Sequence, residues 1–260
     1  MISNIRKMEL GTHVSSLCRA DYDGRGVVLK RYKAADKGQF TAEIQALPAL
    51  QGCKEIVSLL KIDRDFFIMD FYPKGDLFSK VETHRVIPVP HVKKYAASLL
   101  RAIAACHNAG FGHMDIKLDN ILIAEDGSLR LTDFGMSVRS ERNNTQRGTL
   151  DYMAPEVLQP HFEGHEYNTF SADMWSFAIC IFILLSGNPP FHRASVDCPC
   201  FKAFRSTPTH FWSSFRLADD TVEFLQTLLV VMRTIDDVRP SAVQTMEHPW
   251  LQGDVPAEFF

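Results

Sequence analysis

The sequence predicts an α+β fold of two lobes with a cleft between them, one small and β-rich, the other larger and helical. Two patterns and one bulk property point there. The first third of the chain reads as short runs of strand-forming residues divided by turns, and the rest carries apolar residues at helical spacing. The length of 260 residues suits one large domain or two lobes that share a cleft, and 46% hydrophobic residues are enough for a sizeable core. A single domain over residues 1–260 is expected, with the small lobe over about 1–70, a hinge over about 70–74 and the large lobe over about 75–260.

Val27-Val28-Leu29-Lys30 is a β-rich run after the turn Asp23-Gly24-Arg25-Gly26. Residues 39–47 have helical composition, and Pro48 is expected to end that helix. Residues 56–61 and 66–71 flank Asp63-Arg64-Asp65 as a hairpin. From His91 to His107, Val92, Ala96, Leu99, Leu100 and Ile103 line one helical face, and Gly110 stops the run. Ile121-Leu122-Ile123 and Leu129-Arg130-Leu131 are short β-like runs. A second long helix is expected from about Ala172 through the apolar run 177–185, broken afterwards by Pro189-Pro190. That run has nine residues where a membrane span needs about twenty, so it predicts a buried core helix. Residues 222–232 are again apolar at helical spacing.

A net charge of −3 gives no basic field for nucleic acid. Residues 1–7 lack the apolar run of a signal peptide. The six cysteines form no disulfide framework, and Cys198-Pro199-Cys200 has no second ligand pair at zinc spacing, so it reads as a loop with free thiols. Reduced thiols predict an intracellular location, cytoplasmic or nuclear, with no membrane partner.

The chemistry concentrates in His113-Met114-Asp115-Ile116-Lys117-Leu118-Asp119-Asn120, followed by Asp133-Phe134-Gly135. Asp115 can orient and deprotonate a hydroxyl, Lys117 can neutralise a transferring phosphate, and Asn120 with Asp133 can hold a divalent metal. Either motif alone is common. Both in order, at this spacing and with two β-like runs separating them, resemble the eukaryotic protein kinase family, serine/threonine type, over essentially the whole chain.

That resemblance implies a bilobal kinase fold, ATP and magnesium as cofactors, and protein substrates with serine or threonine acceptors. Lys30 would contact the α- and β-phosphates, with Glu43 as its carboxylate partner; Glu55 follows Gly52 and falls outside the helix. Asp115 would be the catalytic base, Lys117 would screen the γ-phosphate, and Asn120 and Asp133 would ligate magnesium. Met69 would be the gatekeeper and Asp70 to Tyr72 the hinge, with Val28, Leu122 and Cys18 around the adenine and Leu10 and Gly11 opening the phosphate loop. Ala154-Pro155-Glu156 would close an activation segment, Glu156 pairing with Arg239. Asp173-Met174-Trp175-Ser176-Phe177 resembles the helix that anchors the catalytic loop through its Asp, and His248-Pro249-Trp250 resembles the calmodulin-dependent-kinase-like group. No calmodulin-type tail follows it, so calcium control is not implied.

Two departures stand out. The loop Leu10-Gly11-Thr12-His13-Val14-Ser15-Ser16 keeps only the first glycine of Gly-x-Gly-x-x-Gly, which predicts a weaker or reshaped grip on phosphate. Met114 stands where the family often has an Arg that binds a phosphate on the activation segment, so activation is expected not to depend on phosphorylating that segment, although Thr145 sits at the usual spot. Lys117, Asp119 and Gly148-Thr149 fit a serine/threonine enzyme, and Met136 leans towards serine. Asp76 and Asp119, read as two unpaired carboxylates, predict substrates with upstream basic residues. A pseudokinase is the alternative, supported by the degenerate loop alone. A small-molecule phosphotransferase of the kinase-like type generally lacks the Ala-Pro-Glu and Asp-x-Trp-Ser-Phe segments found here.

Overall fold

The turn before Lys30 sets the small lobe. Asp23 and Gly24 both take positive φ, 49° and 79°, the geometry whose twist matches two flanking antiparallel strands. The computed structural model describes residues 2–8, 15–158, 166–232 and 237–252. Its first part is an antiparallel sheet of β1 (Ile2–Lys7), β2 (Ser15–Tyr22), β3 (Arg25–Tyr32), β4 (Leu59–Ile62) and β5 (Phe66–Asp70), in the order β1-β2-β3-β5-β4. Helix α1 (Lys37–Ala49) lies between this sheet and the turn that follows Asp133. The chain then becomes mainly helical, with α2 (Leu77–His84) and α3 (Val89–Asn108), the hairpin β6 (Ile121–Ile123) and β7 (Leu129–Leu131), and the two-residue strand β8 (Arg142–Asn143). After it come α4 (Pro155–Leu158), β9 (Tyr167–Asn168) paired with β8, α5 (Thr169–Ser186), α6 (Pro199–Ser206), α7 (Pro208–Ser213), α8 (Asp219–Leu228) and α9 (Ala242–Met246). This is the expected α+β, two-lobed arrangement.

Several boundaries differ from the sequence expectation, each for a local reason. Pro48 does not end α1: it forgoes its own bond one residue from the helix end, and the Leu50 N–H still reaches the Ala46 carbonyl at 3.1 Å. The first hairpin strand begins at Leu59 and not at Ile56, because Ile56 leaves the sheet to bridge Leu131. Helix α5 starts at Thr169, ahead of Ala172, since the Asn168 side chain accepts the Ser171 N–H at 2.9 Å. It stops at Gly187, whose φ of 82° provides the left-handed turn, before the two prolines are reached. Cys198-Pro199-Cys200 is not a loop: Pro199 opens α6, a position where its missing N–H is no loss, and both thiols are free. The 222–232 run is helical only to Leu228.

Helix α5 is long and apolar enough to span a membrane by length and composition, but 83% of it is buried within the fold. Trp175, Phe177 and Phe182 on α5 are fully buried, and aromatic rings from α6, α7 and the segment before them pack around Trp175 and Phe182. One continuous core runs from Val28 on β3 to Trp250. Asp173, on α5, enters that core with its carboxylate aimed at the loop that carries Asp115.

Candidate active site

Strand alternation puts Val28, Lys30 and Tyr32 on the face of β3 towards α1, while Arg31 points to solvent. The Lys30 ammonium is 3.0 Å from Glu43 Oε2 and 2.9 Å from Asp133 Oδ1. Burial works against its charge, but these two carboxylates outweigh burial and hold its pKa well above the ordinary value. Burial likewise opposes the Asp133 charge, and Lys30 overrides it, so the Asp133 carboxyl titrates below its usual range. Burial pushes the Glu43 carboxyl up, against the pull of Lys30. Glu43 Oε1 also accepts the Phe134 N–H at 2.8 Å, tying α1 to the Asp-Phe-Gly turn. Glu55 is elsewhere, 2.6 Å from Arg101.

The loop 113–120 is held from below. Asp173 Oδ2 accepts the His113 N–H at 2.7 Å and Oδ1 accepts the Met114 N–H at 2.8 Å. Two charge-assisted bonds to consecutive amides stabilise the loop at Met114, whose φ of 65° is uncommon for a residue with a side chain. His107 Nε2 lies 3.0 Å from the same carboxylate. His113 is within 3.0 Å of the Thr132 carbonyl through Nε2, and its Nδ1 accepts the Asp115 N–H at 3.2 Å, a pattern that the neutral Nε2–H tautomer satisfies.

Those contacts present Asp115, Lys117 and Asn120 together. Asp115 Oδ2 is 3.2 Å from Lys117 Nζ and accepts from Asn120 Nδ2 at 3.1 Å, while the same amide reaches the Asp115 carbonyl at 2.8 Å. Thr149 completes the group: its hydroxyl donates to Asp115 Oδ1 at 2.7 Å and accepts from Lys117 at 3.0 Å. Gly148 makes that contact possible. With φ at 104°, a Cβ there would meet the Met114 carbonyl oxygen at 2.4 Å.

On the face of the sheet that carries Lys30, Val28 and Met69 are buried cross-strand partners on β3 and β5, and Leu122 is half-buried against the same core. Cys18, expected beside the adenine, pairs instead with Leu29 and so lies on the opposite face of the sheet, while Leu17 is the residue opposite Lys30. The Thr132 hydroxyl points at the Met69 sulfur, 3.9 Å away. The Asp70 N–H bonds to the Ser58 carbonyl and the Phe71 N–H to the Gly26 carbonyl, both at 3.2 Å. The Tyr72 N–H has no backbone carbonyl partner among the described residues. Leu10 and Gly11, expected at the phosphate loop, lie outside the described residues.

The activation segment ends in a buried ion pair. Arg239 Nη1 and Nη2 meet the two Glu156 oxygens at 2.5 and 3.1 Å, and its guanidinium lies over Trp175 with 4.9 Å to the ring centroid. One expectation needs correcting. Asp76 is not unpaired: it caps α2, accepting the Ser79 N–H at 2.7 Å. Asp119 remains exposed, and partial desolvation raises its carboxyl pKa. Sequence reasoning missed His107, Thr132 and Tyr32. Only Tyr32 carried a readable signal, being two residues past Lys30 and therefore on the same face of the strand.

Among the described residues no three of His, Cys, Asp and Glu cluster as a metal site. Asn120 and Asp133 fit a hard cation that takes few protein oxygens and completes its shell with water and phosphate, as magnesium does.

Residues 11–251 match the family model described as protein kinase domain. CBL-interacting protein kinase 16 of Oryza sativa subsp. japonica is 33% identical over 219 residues, 80% of this chain and 44% of that protein. Protein kinase C delta type of Homo sapiens is 35% identical over 153 residues, covering 57% of this chain and 22% of its own length. Aurora kinase B of Danio rerio is 30% identical over 193 residues, 74% of this chain and 57% of the relative. The chain thus spans well under two thirds of the length of these relatives.

Proposed function

Because this chain belongs to the protein kinase family, in its serine/threonine branch, we propose that it transfers the γ-phosphate of Mg-ATP to serine or threonine hydroxyls of protein substrates. One observation carries the reading: Lys30, Glu43 and Asp133 form one charged cluster, and Asp115, Lys117 and Asn120 form a second beside it. The bond from the β–γ bridging oxygen to the γ-phosphorus breaks as the substrate oxygen forms its own bond to phosphorus, and ADP leaves. Asp115 orients the attacking hydroxyl and takes its proton; its carboxylate already accepts a hydroxyl, that of Thr149. Lys117 and Lys30 set positive charge against the transferring and the departing phosphates. Asn120 and Asp133 would hold magnesium, which would neutralise phosphate charge when bound. Val28, Met69 and Leu122 would pack the adenine, with Asp70 and Tyr72 offering backbone groups to its edge and Leu10 and Gly11 covering the phosphates.

Substrates with basic residues upstream of the acceptor fit this site best through Asp119, since Asp76 is engaged as a helix cap. An intracellular setting accords with six free thiols.

Phosphotransfer from Mg-ATP to a serine/threonine peptide library tests the reading. Wild type should turn over, and Asp115→Asn and Asp133→Asn should each lose about a hundredfold or more. ATP binding by folded wild type with no transfer would instead establish the pseudokinase alternative, which the single-glycine loop favours.

A further inference from the structure

Among the side chains around Glu43, Tyr32 supplies a donor that the proposed reaction leaves unused. Tyr32 is 6% exposed, and its hydroxyl donates a hydrogen bond to Glu43 Oε2, the oxygen that also meets Lys30. We propose that Tyr32 is a positioning residue for phosphotransfer, its hydroxyl fixing the Glu43 carboxylate so that Glu43 can place Lys30 against the phosphates. This rests on the kinase reading above.

The case is built from what else each partner must do. The Lys30 ammonium is shared between Glu43 and Asp133, and bound phosphates would compete for it as well. When they draw it away, a carboxylate held by Lys30 alone would lose its main partner while buried, a costly state for an unpaired charge. Tyr32 supplies a donor to the same oxygen that does not move towards the nucleotide. The Phe134 N–H holds the other oxygen at 2.8 Å, so both ends of the carboxylate are fixed independently of Lys30.

Tyr32 is itself immobilised. Its N–H donates to the Asp65 carbonyl at 2.9 Å, and its ring packs on Phe40 of α1, with centroids 5.6 Å apart. The Lys30 ammonium lies 5.3 Å from the ring centroid. The hydroxyl therefore approaches Glu43 from a rigid base with little rotamer entropy to lose. Burial, and then the Glu43 charge, push its pKa up, so it stays a proton donor across the working pH range.

Tyr32→Phe removes the hydroxyl and keeps the ring, and Phe40→Leu loosens the ring packing and keeps the hydroxyl. The proposal expects Tyr32→Phe to lower kcat by about tenfold, the size of one lost hydrogen bond to a charged group, with the peptide KM unchanged. It also expects the loss to vanish in a Glu43→Gln background, because Tyr32 acts through Glu43. Amide exchange at Phe134 in nucleotide-free protein gives a readout that needs no activity: Tyr32→Phe should accelerate it, since the acceptor for that N–H is no longer fixed. Wild-type kinetics from Tyr32→Phe, an equal loss in Phe40→Leu at matched melting temperature, an additive loss with Glu43→Gln, or unchanged Phe134 exchange would each overturn the proposal. Inactive wild type with accelerated Phe134 exchange in Tyr32→Phe would sink the kinase reading and leave the Tyr32–Glu43 clamp standing.

Discussion

Met114 is 6% exposed and uncharged, so it gives a phosphate on the activation segment nothing to bind. The segment is anchored by neutral bonds instead. The Thr145 carbonyl accepts from Asn143 Nδ2 at 2.9 Å and from the Tyr167 hydroxyl at 2.7 Å. Activity should therefore survive phosphatase treatment and Thr145→Ala, within about twofold, whereas Tyr167→Phe should lower it; kinase assays before and after dephosphorylation check this. The missing arginine was legible in the sequence because it sits inside a motif. Its replacement was not, because Tyr167 lies 22 residues from Thr145 and only the pairing of β8 with β9 brings them together. Glu43 has a pH consequence at the same scale. Its carboxyl titrates above the usual 4.5 and that of Asp133 below the usual 3.8. On acidification Glu43 protonates first and releases Lys30, so the acid limb of kcat/KM for ATP should fall above pH 4.5 and should be absent from the residual activity of Glu43→Gln. A limb that persists in that variant would assign the titration to another group.

At the scale of elements, the segment 148–149 and helix α5 jointly shape the loop around Asp115. Gly148→Ala forces a Cβ to within 2.4 Å of the Met114 carbonyl oxygen at a φ few side chains tolerate. That should pull Thr149 off Asp115 and lower kcat by about tenfold or more in protein that still folds, with a melting temperature reduced by the strain. Asp173→Asn tests the other side. It leaves one of the two amides at His113 and Met114 facing an NH2, and kcat should fall with ATP affinity retained. Helices α3 and α8 were readable from periodicity, α1 from composition, α5 from its apolar run, and the hairpin around Asp63-Arg64-Asp65 from the strand-forming runs that flank it. The ends were read from the wrong punctuation. Prolines 48 and 189 looked like stops, but Leu50 still closes α1 and Gly187 terminates α5 first. A cap acts through one hydrogen bond or one positive φ, and neither leaves a periodic trace.

In the whole molecule, two ion pairs join residues far apart in sequence. Lys30 and Asp133 lie 103 positions apart, Glu156 and Arg239 lie 83 apart, and both ties are buried on at least one side. Arg239→Ala would leave Glu156 without its counter-charge and should destabilise the fold by about 3–5 kcal/mol in urea unfolding. The resemblance that made this pair readable came from the motif around Glu156; nothing in the apolar pattern near Arg239 announces it. The pair also sets an order of events on the ribosome. A nascent chain can join Lys30 to Glu43 as soon as β3 and α1 have emerged, yet the clasp on the activation segment waits for residue 239. The activation segment thus stays unclasped on the growing polypeptide until nearly all of the matched region has been made, and an unfinished chain carries Lys30 and Asp115 beside a segment that has nothing to hold its end.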